Sequence, residues 1–517
     1  MMRASGRRRD ACDIGRHRAP GGAPGRHDPV TRTERHMTLV SREPHAAQAL
    51  RAERSGSAAT ASTPSRRDST IDVARAWCLV VVVALHAMMV GVSVVGGAPL
   101  LENAMEGWGG FAAATWFVQV MPLFFVLGGA SAMLHWRKLR RGQDAPGRDG
   151  GGVDAGAATR YVATRVPRLV VPALVAGIAV VAALTALLLL GVPGDLVAEA
   201  GFRMSQPLWF LGVYVLCSAA VPFLATAHRR APGWTLGALI GAAVGVDALR
   251  HLTGVEAIGF ANLLFVWLAV QQLGFFVADG TSARLPRRWL VPLAAAAFAG
   301  LALLCGVGVA PFDLLEALNP PSAVLIMLGV GQLLLFEAAR PWLQAVHARG
   351  GVAAVVGWIN ARAMTIYSWH MLVLIGLAGG LLVTGWPLPA PLSTDWWATR
   401  PLWLVAVVAV VTVVVALAGR FEAKGRRPPS NGASAASAVA SMRRVWFGGA
   451  VAAAGTLAVL VGSGSLLAWA IGATAWIVAL LLVGARPRMS IHTAYRPGGP
   501  HRAPAARSSL GTAGLAR

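Results

Sequence analysis

The sequence predicts an all-α, polytopic transmembrane helical bundle, with a ten-helix core and an added C-terminal helical hairpin. Three observations carry that prediction. Of 517 residues, 56% are hydrophobic and only 13% are charged, against about 25% charged in soluble domains. Between the two ends of the chain, apolar residues gather into stretches near the ~20 residues that cross a bilayer. The basic residues alternate from loop to loop, as the positive-inside rule requires. A net charge of +23 and a pI of 11.6 would otherwise direct attention to nucleic acid. Here the arginines punctuate apolar runs, so the expected partner is the lipid bilayer and no nucleic acid is expected. The apolar content also excludes a wholly disordered chain.

Residues 1–68 are rich in Arg, Ala, Gly, Ser and Pro and show no apolar period, so they read as a disordered basic tail. No compact apolar region precedes a small-residue cleavage site there, so no signal peptide is expected, and Met37 offers an alternative start. Apolar spans follow at 72–95, 115–135, 169–191, 207–227, 233–247, 258–278, 289–309, 322–339, 364–385 and 401–419, which places the ten-helix core at 69–424. Residues 425–445, with Pro428 and Pro429, read as a linker. Two further spans, 446–462 and 465–484, form the additional hairpin, and 485–517 read as a second disordered basic tail. The fifth span is short, and only Ser463 and Gly464 separate the last two, so the count is eleven or twelve.

The loop after the second span carries Arg137, Lys138, Arg140, Arg141, Arg148 and Arg160. Arg229 and Arg230 follow the fourth span, Arg284, Arg287 and Arg288 the sixth, and Arg340 and Arg349 the eighth. The alternate loops hold little beyond Arg203, Arg250 and Arg400. The basic loops and both termini are therefore placed in the cytoplasm. Lysine occurs only as Lys138 and Lys424, a usage of a G+C-rich genome, so the expected location is a bacterial plasma membrane.

The four cysteines form no CxxC and no Cys/His pair with metal-ligand spacing, so neither a disulfide framework nor a metal site is expected. No P-loop, dinucleotide fingerprint or GxSxG elbow occurs. ATP-driven transport and serine hydrolysis by those routes lack support, and no bound cofactor is expected.

Ionisable groups inside spans are rare and costly, so each is a functional candidate. The first span holds Asp72, Arg75 and His86. At 3.6 residues per turn, Arg75 and His86 lie three turns and about 20° apart, and Asp72 falls within about 40° of the same face. The rise puts His86 roughly 16 Å deeper than Arg75. A polar stripe with an imidazole at its far end suits an elongated anionic ligand. The competing reading is an interfacial Asp72–Arg75 pair and a His86 that bonds a neighbouring helix.

A second group, Arg160 to Arg168, leads to Pro172. On a helix Arg165 and Arg168 are i,i+3 neighbours, suited to bidentate contact with phosphates. Pro167 predicts a helix start nearby, with free backbone donors. The bland alternative is ordinary flanking charge. Gly128 and Gly129 in the second span predict close helix approach. Trp209 opens the fourth span and reads equally as a belt residue. His370 is another intramembrane histidine, for which a helix–helix hydrogen bond is the simpler reading. Gln119, Gln271, Gln272 and Asn262 either line a polar cavity or bridge helices.

Taken together, these segments resemble the membrane acyltransferase 3 family, whose members acylate hydroxyl groups of sugars, glycolipids, polysaccharides and antibiotics. The family's first span carries an Asp, an Arg three later and a His eleven beyond, as Asp72, Arg75 and His86 do. A Phe-rich segment matches Leu123 to Gly129, an Arg-x-x-Arg…Pro segment matches Arg165, Arg168 and Pro172, Leu-Trp-Phe-Leu matches Leu208 to Leu211, and Tyr…His matches Tyr367 and His370. The resemblance departs where the family often has Ser-Gly and this chain has Gly128-Gly129, and in the extra hairpin.

The resemblance implies an acyl-CoA co-substrate, most often acetyl-CoA, and a glycan, glycolipid or small-molecule acceptor. His86 is then the general base or the group that helps move the acyl unit. Arg75, Arg165 and Arg168 hold the donor's phosphates, and Asp72 steadies Arg75. Trp209, Tyr367 and His370 become acceptor or cavity residues. The rival is a polytopic transporter or lipid flippase that uses the same stripe as a path. No similarity between the two halves supports it.

Overall fold

A computed structural model describes residues 68–95, 98–141, 154–386, 388–422, 435–462 and 465–484. The two predicted tails and the first part of the predicted linker lie outside the described residues. Among the described residues, twelve helical stretches are long and apolar enough to cross a membrane. The chain is a multi-pass helical bundle.

The first helix, α1 (Ser69–Met89), starts where Asp68 caps it, accepting from the Thr70 amide at 3.0 Å. It ends in the turn that carries His86, earlier than the predicted 95. The residues beyond form an antiparallel hairpin, β1 (Val90–Val95) and β2 (Ala98–Asn103), the one departure from an all-helical chain among the described residues. The Val-rich run suits strand as well as span, and Gly91 lets it pass close to Ala104, whose Cβ would lie 2.8 Å from an added methyl.

A short helix α2 (Phe111–Val118) and α3 (Met121–Arg141) complete the second span. The next helix, α4 (Ala155–Leu189), corrects the sequence reading. It starts at the Asp154 cap, whose side chain accepts from Ala157 at 2.9 Å, and runs through both Pro167 and Pro172. Pro167 is thus interior, and no helix start supplies donors beside it. Each proline removes one backbone bond, which a helix packed among other helices tolerates.

The core continues through α5 (Gly194–Ser205), α6 (Leu208–Arg230), α7 (Pro232–Thr253), α8 (Asn262–Ala278) and α9 (Arg287–Gly306). It closes with α10 (Val324–His347), the short α11 (Val352–Ala361), α12 (Ala363–Val383) and α13 (Thr394–Glu422). Then α14 (Ala435–Val461), which begins inside the stretch read as linker, pairs with α15 (Leu466–Val483). This hairpin packs on α4 and α6. Trp469 donates to the Gly201 carbonyl at 3.3 Å, and Trp476 to Thr456 at 3.2 Å.

Of the glycine pair in α3, Gly129 makes the close helix approach predicted, whereas Gly128 faces the Tyr214 side chain. A Cβ on Gly129 would stand 2.2 Å from the Gln271 carbonyl oxygen, and one on Gly274 would stand 2.0 Å from that of Val126. Helices α3 and α8 therefore touch backbone to backbone. Gly274→Ala is expected to cost ~1–3 kcal/mol through overpacking, while Gly376→Ala, which meets nothing within 4 Å, should be neutral. Thermal unfolding of the detergent-solubilised pair checks this, and equal melting temperatures would contradict the close contact.

Of the polar residues of ambiguous role, Gln271, Gln272 and Asn262 bridge helices, and Gln119 ties the start of α3 to the loop after α9. Gln271 donates to the Cys217 carbonyl at 3.2 Å, Gln119 to that of Leu314 at 3.2 Å, and Asn262 to Asp247 at 2.7 Å. Gln272 meets His228 at 2.7 Å, and His228 meets Asp279 at 2.8 Å.

Candidate active site

His86 lies in the last turn of α1, half-buried. Its Nδ1 is 2.8 Å from the Val82 carbonyl oxygen. A carbonyl only accepts, so Nδ1 carries the proton and Nε2 keeps a lone pair. His370, on α12, repeats the pattern: Nδ1 lies 2.7 Å from the Tyr367 carbonyl, and its buried Nε2 has no partner. The two rings meet edge to face, 5.1 Å between centroids. The structure thus brings together two imidazoles that sequence reading placed on separate spans. The Trp403 indole donates to the Ala87 carbonyl at 2.9 Å and fixes the end of α1 beside them.

Around His86 opens a recess lined by Glu102 and Asn103 from β2, Arg203 from α5, and Gln206. Arg203 bonds Glu199 at 2.6 Å and the Leu101 carbonyl at 3.2 Å, tying the strand to α5. Sequence reading missed Glu102, Asn103, Arg203 and Gln206 as site candidates, because only the fold of the β-hairpin and the packing of α5 bring them to His86.

Three turns back along α1, Arg75 faces α3. It donates to Ser131 at 3.5 Å and stacks over Phe124 at 5.9 Å. Its Nε is buried without a partner. Asp72 makes no ion pair with Arg75 among the described residues, so the expected Asp72–Arg75 clamp is not formed. The Asp72 carbonyl instead accepts from Asn360 at 2.8 Å. A different carboxylate anchors the helix. Asp68 accepts from Arg340 at 2.7 Å, and Arg340 bonds Glu337 at 2.6 Å. Burial raises the Asp68 carboxyl, but the hydrogen bonds from Thr70 and Arg340 outweigh it and hold the group below its ordinary range.

Arg165 lies over the Tyr161 ring at 5.3 Å, and Tyr161 is 5.5 Å from His135. The Nε of Arg165 and the Nε2 of His135 are buried without partners. Arg168 is exposed on the same helix and has a partner of its own. Unpaired buried donors are rare in folded proteins and call for an explanation such as a ligand. Tyr367 and Trp209 are committed elsewhere. The Tyr367 hydroxyl donates to the Pro207 carbonyl, and Trp209 packs on Trp267 at 5.5 Å.

The site is thus a polytopic bundle with an intramembrane histidine pair at one end of a polar stripe and, at the other, two arginines whose buried Nε atoms lack a partner. The family comparison gives the class directly: residues 68–419 match the model of an acyltransferase domain, the third acyltransferase family. The chain belongs to that membrane acyltransferase family. No curated protein and no solved structure matches the chain. Membership favours the transferase over the transporter reading.

Proposed function

We propose that the chain is an O-acyltransferase that moves an acyl group, acetyl in the simplest case, from acyl-CoA to a hydroxyl of a sugar, glycolipid, polysaccharide or secondary metabolite. The observation that carries this reading is the His86 tautomer. With Nδ1–H spent on Val82, Nε2 is the free base. The residue lines a recess whose side chains Glu102, Asn103, Arg203 and Gln206 suit hydroxyl-bearing ligands.

In the proposed reaction, Nε2 of His86 takes the acceptor hydroxyl proton as the oxygen attacks the thioester carbonyl. The new C–O bond forms, the C–S bond breaks, and the proton passes to the departing thiolate. Arg75, Arg165 and Arg168 attract the donor phosphates from the arginine-rich end, and the loop charges support a cytoplasmic side for that end. His135, beside Tyr161, joins that group as a donor to phosphate oxygens. His370 packs against His86 and limits its ring to one orientation.

The test is transfer of label from acetyl-CoA in membranes that contain the chain. The expected product loses its label to hydroxylamine at alkaline pH, as an ester does. Label that resists hydroxylamine would mark an amide and overturn O-transfer. Label retained only as intact acetyl-CoA inside sealed vesicles would favour transport.

A further inference from the structure

Outside the stripe, an apolar cleft opens where the added hairpin meets the core. Val162 and Leu169 of α4, Leu216 of α6, and Trp446 and Ala450 of α14 line it. One charged side chain enters it, Arg165, and the Nε of that arginine is buried without a partner.

The cleft sits at a defined depth. Arg165 precedes Leu169 by one turn, at the arginine-rich end of the long helix. On α14, Arg443, Trp446 and Ala450 follow at i, i+3 and i+7, so one face carries a guanidinium, an indole and then apolar lining. Arg443 is exposed. That order matches the boundary between headgroups and hydrocarbon, where Trp and Arg concentrate.

We propose that this cleft binds one anionic phospholipid of the leaflet at the arginine-rich end. Its phosphate rests between Arg165 and Arg443, and one acyl chain lies along Leu169, Leu216 and Ala450. Charge and shape both favour this occupant. A zwitterionic lipid offers the same phosphate but brings a quaternary ammonium that two guanidinium groups repel, and a soluble phosphate leaves the apolar wall bare. Basic pockets between transmembrane helices bind acidic headgroups in this manner. The site also explains how a hairpin beyond the matched family domain is cemented to the core. Arg165 is shared with the proposed donor track, so the variants below spare it.

The experiment is native mass spectrometry of the full chain titrated with phosphatidylglycerol or with phosphatidylcholine of the same acyl chains. One phosphatidylglycerol is expected to bind more tightly than phosphatidylcholine. Arg443→Gln should weaken that binding roughly fivefold, the effect of about 1 kcal/mol per arginine at a membrane surface. Arg444→Gln, turned about 100° off the cleft face, should change it less than twofold. Ala450→Trp should abolish the preference by filling the cleft. Equal binding of the two lipids, or equal loss in the Arg443 and Arg444 variants, would overturn the site. So would displacement of the lipid by glycerol phosphate as effective as by phosphatidylglycerol.

Discussion

Replacing His86 with alanine is expected to lower acyl transfer by ~10²–10⁴-fold, the usual contribution of a positioned general base. The fold should survive, because the ring is half-buried and its one hydrogen bond runs to its own helix, at Val82. His370 loses a ring neighbour at 5.1 Å but keeps its bond to Tyr367. The measurement is initial rate at equal abundance in the membrane. The loss should fall on kcat, since the arginines proposed to hold the donor lie three turns away on α1 and on α4. An unchanged rate would remove His86 from the chemistry while leaving the enzyme class intact. A rise in the donor KM alone would mean that His86 binds substrate and does not move its proton.

The largest expected loss of stability is that of Arg340→Ala. This guanidinium bonds Glu337 at 2.6 Å, Asp68 at 2.7 Å and Thr70 at 3.1 Å. The Glu337 side chain is only 3% exposed. Removing Arg340 leaves that carboxylate with Ser282 as its remaining donor among the described residues, at 2.7 Å, and breaking such a buried pair costs ~3–5 kcal/mol. Thermal unfolding should show the loss, with Arg340→Lys recovering part of it. The lysine restores the charge but cannot reproduce the forked geometry.

The same network gives a pH test. Because the Asp68 carboxyl is held below its ordinary range, its contribution is complete at neutral pH and fades as pH falls through the depressed value. Asp68→Asn should therefore destabilise the protein at pH 7, and the gap to the native chain should close in acid, below about pH 4. A gap independent of pH would show that shape, and not charge, holds the junction.

Much of this was legible in the sequence because membranes impose length. The apolar runs announced the spans, and helical spacing set Asp72, Arg75 and His86 on one face. The residues that escaped did so for identifiable reasons. The run Val90–Val95 carried no signal separating strand from span end. Pro167 suggested a helix start, but a packed helix absorbed it. Asp72 looked like the partner of Arg75 because it was near in sequence, whereas the working carboxylate, Asp68, bonds an arginine 272 positions away. No local pattern encodes that contact. His135 is a different case. It closes the predicted second span, 115–135, so the rule that singled out His86 and His370 applies to it equally, and it was passed over.

The three turns between Arg75 and His86 also act as a gauge. Both residues belong to one continuous helix, clamped at its start by Arg340 and at its end by Trp403, so their spacing is as stiff as the helix itself. At about 1.5 Å per residue, that spacing is roughly 16 Å. A donor meets both ends at once only if its phosphates and its reactive carbonyl are separated by a comparable arm. Under the proposed reaction, selection among acyl carriers rests on reach, and a compact activated acyl group, however reactive, satisfies one end and leaves the other empty.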